Sequence, residues 1–346
     1  MHLRYRRLLS LLLVALTAVA ALALSACGGD DSGDAKQTLR DGFSHRLPKA
    51  TASINLQINA KGSPQLSQPV ALRLDGPYDF SNPLAPKANL DLNASGGGAS
   101  LGAKLLLTGD NAFVGVQGQN YEVGAEAWKA QLQQLVAGAA KLRSQSGKLE
   151  TSSWIKDPKE DGDEDVAGAA TTKVTGQLDL VKMLTDLNKA SSQAQGAKTP
   201  GPTQQQIDRF KQVAKDPRVE VFVAKDDKTL RKVIVTLDFT IPESQRAQAQ
   251  GATGGSATLT VQFSNAGQDV QVTAPTDARP LSELQSQVQS GGLGGLGGSS
   301  SGGASGGSSG GSGSSPSSDD FQKFADCLKQ AGSDQAARQK CSDLIR

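Results

Sequence analysis

The strongest constraint in this chain is a period of two. Ala52, Ile54, Leu56 and Ile58 alternate with Ser53, Asn55, Gln57 and Asn59. Val70, Leu72 and Leu74 alternate with Ala71, Arg73 and Asp75, and Ala88, Leu90, Leu92 and Ala94 with Asn89, Asp91 and Asn93. Successive side chains of a strand point to opposite faces, so each segment carries one apolar and one wet face, the signature of antiparallel strands covered on one side only. Gly62-Ser63-Pro64, Asn82-Pro83 and Gly96-Gly97-Gly98 supply turns between them. The pattern continues through Leu101–Thr108, with Leu105 on the apolar side, then Phe113–Gln117 and Tyr121–Val123. It resumes at Thr171–Leu178, Arg218–Lys225, Thr229–Ile241, Ala257–Ser264 and Asp269–Ala274.

Between these runs the period changes to that of a helix. Leu39, Phe43 and Leu47 recur at helical spacing up to Pro48. A longer stripe, Trp128, Leu132, Leu135, Val136, Ala139 and Leu142, runs through Glu126–Arg143. Leu180, Leu184 and Leu187 form another, and Ile207, Phe210 and Val213 a further one. About a dozen strands with a few striped helices is an α+β chain. So many strands in one open sheet must curl, and helices are the natural cover for its concave face. The predicted fold is therefore a single strongly curved antiparallel sheet with helices across its concave face. Small residues at inferred inward positions, Ala52, Ala88, Ala94, Ala103 and Ala112, favour space inside, although the same stripes could complete a solid core.

The N-terminus defines the compartment. Arg4, Arg6 and Arg7 precede an apolar run, Leu8–Ala23, too short for a comfortable membrane span, which reads as an export signal. The run ends Leu24-Ser25-Ala26-Cys27, which resembles the lipobox of bacterial lipoproteins. That resemblance implies cleavage after residue 26, diacylglycerol on Cys27 and anchorage to the outer face of the cytoplasmic membrane. Residues 27–34, polar throughout after the cysteine, form the tether.

Several function classes are disfavoured. Loss of the three signal arginines takes the formal charge from +2 to about −1, which offers no polyanion-binding surface, so nucleic acid is not an expected partner. Only His45 would remain as histidine, too few for a multi-histidine metal site. Asp161, Asp163 and Asp165 match the first ligands of a calcium loop, but Val166 and Thr172 stand where glycine and glutamate are required. The acidic run from Asp157 to Asp165 is read instead as a solvated hairpin entry before the strand at Thr171. Gly96–Gly102 lacks dinucleotide-binding spacing. With no nucleophile elbow, phosphate loop or metalloprotease helix, neither catalysis nor a cofactor is expected.

From Asp163 the chain reads Asp-Glu-Asp-Val-Ala-Gly-Ala-Ala-Thr-Thr-Lys-Val-Thr-Gly, then Gln-Leu-Asp-Leu-Val-Lys-Met-Leu to Leu184. A short strand, a Val-Ala-Gly turn, a strand ending Thr-Gly and a leucine-rich helix resemble the central segment of the LppX/LprA/LprF/LprG lipoprotein family. Members share a fold similar to the LolA and LolB carriers. The element order from Asp34 to Pro275 agrees. The resemblance implies a half-barrel with a lipid-holding cavity between sheet and helices, and a protein that carries or presents acylated lipid or glycolipid in the envelope. The residues expected to line that cavity are Ile54, Leu56, Ile58, Leu72, Leu90, Leu105, Trp128, Leu132, Leu135, Leu180, Leu184 and Leu187.

Beyond Pro280 the composition breaks. Residues 35–280 are expected to be the lipid-binding domain and 281–318 a linker, glycine and serine almost throughout from Gly291. Residues 319–346 carry Phe321, Phe324, Cys327 and Leu328, then Ala336, Ala337, Cys341 and Leu344, the stripes of a separate α-helical hairpin. In an exported chain Cys327 and Cys341 are expected to pair, a staple of roughly 3 kcal/mol for so short a loop by the chain-entropy account. The competing reading is a structural or interaction lipoprotein with a solid core, whose terminal hairpin docks a protein partner.

Overall fold

The computed structural model describes residues 34–64, 68–146, 151–193, 204–247 and 249–289. The chain divides into two compact units after Gly298, and every described residue belongs to the first. The export signal, Cys27, the glycine- and serine-rich stretch, and the hairpin with Cys327 and Cys341 lie outside the described residues.

The N-terminal half is a meander. Helix α1 (Asp34–Ser44) leads into β1 (Lys49–Lys61), β2 (Val70–Asp79), β3 (Lys87–Gly96), β4 (Ala99–Thr108), β5 (Ala112–Val116) and β6 (Gln119–Glu122). Helix α2 (Ala125–Ser146) and a 3₁₀ turn (Thr151–Trp154) precede β7 (Ile155–Val166) and β8 (Ala169–Leu178). Helices α3 (Leu180–Gln193) and α4 (Gln204–Val213) follow, then β9 (Ala214–Ala224), β10 (Leu230–Thr240), the single turn α5 (Glu243–Arg246) and β11 (Gly254–Ser264). A two-residue strand β12 (Arg279–Pro280) and helix α6 (Leu281–Gln289) complete the described chain.

All twelve strands form one sheet, in the order β12-β6-β5-β4-β3-β2-β1-β11-β10-β9-β8-β7. Every neighbouring pair is antiparallel except β12 with β6. Two meanders thus run outward from a central β1–β11 pair, and the ends β12 and β7 do not join. The connection from β6 to β7 must cross from one side of the sheet to the other, about 48 Å along it at ~4.8 Å per strand. Helix α2, with 22 residues, is only ~33 Å long.

Three two-residue hairpins fix register. Gly97-Gly98, Gln117-Gly118 and Ala167-Gly168 all have both central residues at positive φ, the mirror-image turn whose twist matches that of the strands. At Gly76, φ is +147° and a Cβ would sit 1.9 Å from the Asn89 carbonyl oxygen, so β2 and β3 approach more closely there than any side chain allows.

One face is apolar over most of the sheet, as the alternation predicts, but on β7 it carries Glu160, which lies opposite Val174 and accepts from the Thr38 hydroxyl of α1 at 2.9 Å. Leu39 and Phe43 of α1 pack with Trp154, Leu180, Met183 and the inner face of β8–β10, including Val174, Val221 and Val233. Gly42 makes this fit possible, since a Cβ there would lie 2.5 Å from Val223 Cγ2. A second, smaller cluster joins Trp128 and Leu132 of α2 to Ala88, Leu107 and Ala112.

Three expectations change. The run from Asp157 to Asp165, read as a solvated hairpin entry, is largely exposed and does enter the β7–β8 hairpin, but it is itself strand, part of β7 at the sheet edge, where a one-sided ladder tolerates charge. Two irregularities in its pairing with β8, at Lys156/Lys159 and Glu160/Asp163, erase the period-two signal. Asp269–Ala274 forms no strand, although Val270 is buried; the last pairing comes later, at Arg279–Pro280. Leu281–Gln289, within the segment expected to be linker, is helix α6, and Tyr121 Oη lies 3.4 Å from Gln287 Oε1.

Candidate functional site

The registers arrange the inner face of the central strands in rows. One row runs Val261, Ile54, Leu74, Leu92, Ala103 and Val116 across β11, β1, β2, β3, β4 and β5. The next runs Leu259, Leu56, Leu72, Ala94 and Leu101, and a third begins Ala257, Ile58 and Val70. Every member is apolar. Of these only Val261 is buried, and Leu101 remains 38 % exposed. These rows belong to neither of the two clusters, which lie on the same face to either side. They form the floor of a broad apolar groove, roughly 20 Å across at the strand spacing.

The walls are the two helix-covered clusters. On one side Leu180 and Met183 of α3 are buried, with Leu184 and Leu187 half-buried against them. The helix is fixed at its first turn, where the Asp179 carboxylate accepts from the Lys182 backbone N–H at 2.9 Å and pairs with Lys156 at 2.8 Å. Further along, Asp186 accepts from the Trp154 indole at 3.0 Å and from Lys182 at 2.8 Å. Partial burial pushes the Asp186 carboxyl up, but the bonds from Lys182 and Trp154 outweigh it and hold the group below its ordinary value.

On the other side Trp128 and Leu132 close one end of the groove, where Ala50, Tyr78, Ala88, Leu107 and Ala112 form a cross-strand row. The Tyr78 hydroxyl donates to the Leu47 carbonyl at 2.9 Å, and burial raises its pKa to about 12. Burial falls away towards the opposite strand ends: Ala50 and Ala52 are buried, whereas Ile54, Leu56 and Ile58 are half-exposed.

Of the residues predicted to line a cavity, Ile54, Leu56, Ile58, Leu72, Leu90 and Leu105 share one face and adjoin. The helical ones are divided, with Trp128 and Leu132 in one cluster and Leu180, Leu184 and Leu187 in or against the other. Leu135 points away from both at 54 % exposure. Sequence reasoning missed Leu74, Leu92, Leu101 and Leu259 as floor residues, although the same alternation marks each of them.

A separate polar pocket of about 410 Å³ lies at the strand ends, among Gly168, Lys225, Asp226, Arg231, Asn265 and Gln268. It shares no residue with the groove. Its cations are spoken for by Asp163 and Asp227, at 2.5 Å from Lys225 and 2.6 Å from Arg231. Among the described residues no group of three or more acidic, histidine or cysteine side chains is placed to hold a metal ion, and no helix is long and apolar enough to cross a membrane.

No protein-family model and no curated protein sequence matches the chain. Solved structures do. LprF from Mycobacterium bovis aligns over 71 % of this chain and 99 % of its own, with a TM-score of 0.38 and 13 % identity. The Mycobacterium tuberculosis lipoprotein LppX aligns over 70 % and 100 %, with a TM-score of 0.33 and 16 % identity. The chain is similar in fold to these lipoproteins. A LolA-superfamily protein from Nitrosomonas europaea also aligns, over 69 % of this chain and 96 % of its own, at a TM-score of 0.17 and 10 % identity. At these identities the likeness concerns the fold alone.

Proposed function

We propose that this protein binds acylated lipid in the apolar groove and carries or presents it in the cell envelope, tethered through diacylglycerol on Cys27 to the outer face of the cytoplasmic membrane. The observation that carries the reading is the set of apolar rows on β11 and β1–β5, left half-exposed between two packed clusters. Soluble proteins seldom leave so continuous an apolar face without an occupant. Acyl chains suit it, because a long, featureless hydrophobic floor gives each methylene about 0.8 kcal/mol without directional demands. A bilayer gives the same methylene much the same, so lipid is exchanged with the membrane rather than captured from water. In this reading Cys327 and Cys341 form a disulfide that staples the terminal hairpin, which is available to a protein partner.

The test uses the full mature chain carrying Cys27→Ala, which frees it from the anchor. Native mass spectrometry and organic extraction should find co-purified acyl lipid in this protein. Leu72→Asp, a half-exposed position where a carboxylate need not unfold the sheet, should lose it while keeping the same circular dichroism spectrum. A lipid-free protein that also refuses added phospholipid and glycolipid would overturn the reading in favour of an interaction lipoprotein.

A further inference from the structure

Two tryptophans are present in the chain, and the structure treats their indole N–H groups differently. Trp154 is 1 % exposed and donates to Asp186 at 3.0 Å. Trp128 is 7 % exposed, and its Nε1 has no acceptor among the described residues. A buried indole usually finds a partner, because leaving the donor unmade costs the full desolvation of the group. At the same end of the groove Tyr78 spends its own hydroxyl on the Leu47 carbonyl. Among the described residues the Trp128 indole is one of four buried side-chain polar atoms without a partner, with Ser63 Oγ, Asn89 Oδ1 and Arg231 Nε, and of these four side chains it alone belongs to the apolar cluster that closes the groove.

Its position is informative. Trp128 sits in the first turn of α2, its backbone N–H bonded to the Gly124 carbonyl at 2.8 Å. Its ring packs on Ala88, Leu107 and Ala112, with Leu90 half-buried beside them. Leu90 is opposite Leu105, which is 37 % exposed and belongs to the groove. The indole therefore stands where the closed end of the groove meets its half-exposed floor. A purely hydrocarbon ligand would leave the donor unspent; one with an acceptor at the head of its acyl chain would use it.

We propose that Trp128 is the polar anchor of the groove, donating its Nε1–H to the carbonyl oxygen of an ester- or amide-linked acyl chain. The proposal rests on the lipid-binding reading and deepens it: it assigns recognition of the acyl linkage to one donor, which sets ester- and amide-linked chains apart from ether-linked ones. Without ligand the N–H is sealed from solvent, so α2 shifts on the sheet as the chain enters. Beyond Trp128 and Leu132 the helix is held at the cluster by Val136, while Leu135 stands largely in solvent, so the contact that must give is narrow.

The test compares a diacyl phosphatidylcholine with its dialkyl ether analogue of equal chain length, each added to the full mature chain carrying Cys27→Ala. The ester lipid is expected to bind about 3- to 10-fold more tightly, the worth of one neutral hydrogen bond. Trp128→Phe, which keeps an aromatic ring and removes the donor, should abolish the preference. A second readout needs no variant: with two indoles in the chain, the Trp128 Hε1 resonance should move downfield with ester lipid and not with ether lipid, while that of Trp154 stays. Equal affinity for both lipids, or an ester preference that survives Trp128→Phe, would overturn the anchor while leaving the groove in place. Failure of the parent protein to bind either lipid would overturn the anchor, and if the protein also carries no co-purified lipid and refuses glycolipid the groove reading falls with it.

Discussion

Single residues carry one clear cost and one pH-dependent gain in this fold. Ala167 occupies the first central position of the β7–β8 hairpin at φ +53°, a left-handed conformation that strains any residue with a Cβ and is least costly for asparagine or glycine. Ala167→Asn is therefore expected to stabilise the protein by about 0.5–1 kcal/mol, read as a shift in the denaturant midpoint; a lower midpoint would contradict the turn assignment. Asp186 is the other. Its carboxyl is held below the ordinary value by the bonds from Lys182 and Trp154, despite the opposing push of partial burial. Between the folded and unfolded pKa values the unfolded chain binds more protons, so this contribution is complete above the unfolded value near 4 and disappears as pH falls through the folded one. Trp154 fluorescence should report α3 loosening in that acid range. Asp186→Asn, which keeps an acceptor for the indole but cannot titrate, should flatten that part of the profile.

At the scale of elements, β7 is the strand most exposed to the wrong partner. It is twelve residues long with a neighbour on one side only, and an unpaired ladder of that length is a template for another chain. The sequence defends it with acids. Asp161 and Glu220 flank Lys173 at 3.3 and 3.4 Å, and Asp163 pairs with Lys225. The bonds themselves are exposed and contribute little to stability. Their placement matters more, since a second β7 brought alongside would face like charge. Replacing Asp161, Asp163 and Glu164 together by Asn, Asn and Gln should leave the melting temperature nearly unchanged but raise self-association in sedimentation velocity. Unchanged association would mean that the two irregularities in the strand, rather than its charge, protect the edge.

Over the whole molecule, two meanders close on each other through β1 and β11, where Asn265 Nδ2 donates to Thr51 Oγ1 across 214 positions of sequence. Such a pairing is reached only after a long loop is closed, so it is expected late in folding. It also sets the groove in the centre of the sheet, on the strands joined last and covered least by the helices. The smaller cluster is assembled within the N-terminal meander and its helix α2, whereas the larger one brings α1 from the N-terminal half onto β8–β10; the strands between them are left as the surface free for a ligand.

What the sequence by itself determined is local. Alternation in β1–β4 and β8–β11 gives strands and their inward faces, because side-chain direction in a strand follows from position alone. Leu39 and Phe43, or Leu180 and Leu184, mark helical stripes for the same reason. Of the acid-rich β7 only the end, before the Val-Ala-Gly turn, was legible, because an edge strand with irregular pairing keeps no periodicity; the segment at Asp269 misleads because a buried Val270 beside polar residues imitates alternation without a neighbour to pair with. Tertiary structure alone decided which apolar positions stay uncovered. Ile54 and Ala52 carry the same pattern, yet one is half-exposed and the other buried, since burial depends on which helix the curl of the sheet brings over them. The unspent indole of Trp128 belongs to that second kind of information: a sequence shows the donor, and only the packed fold shows that no described residue accepts from it.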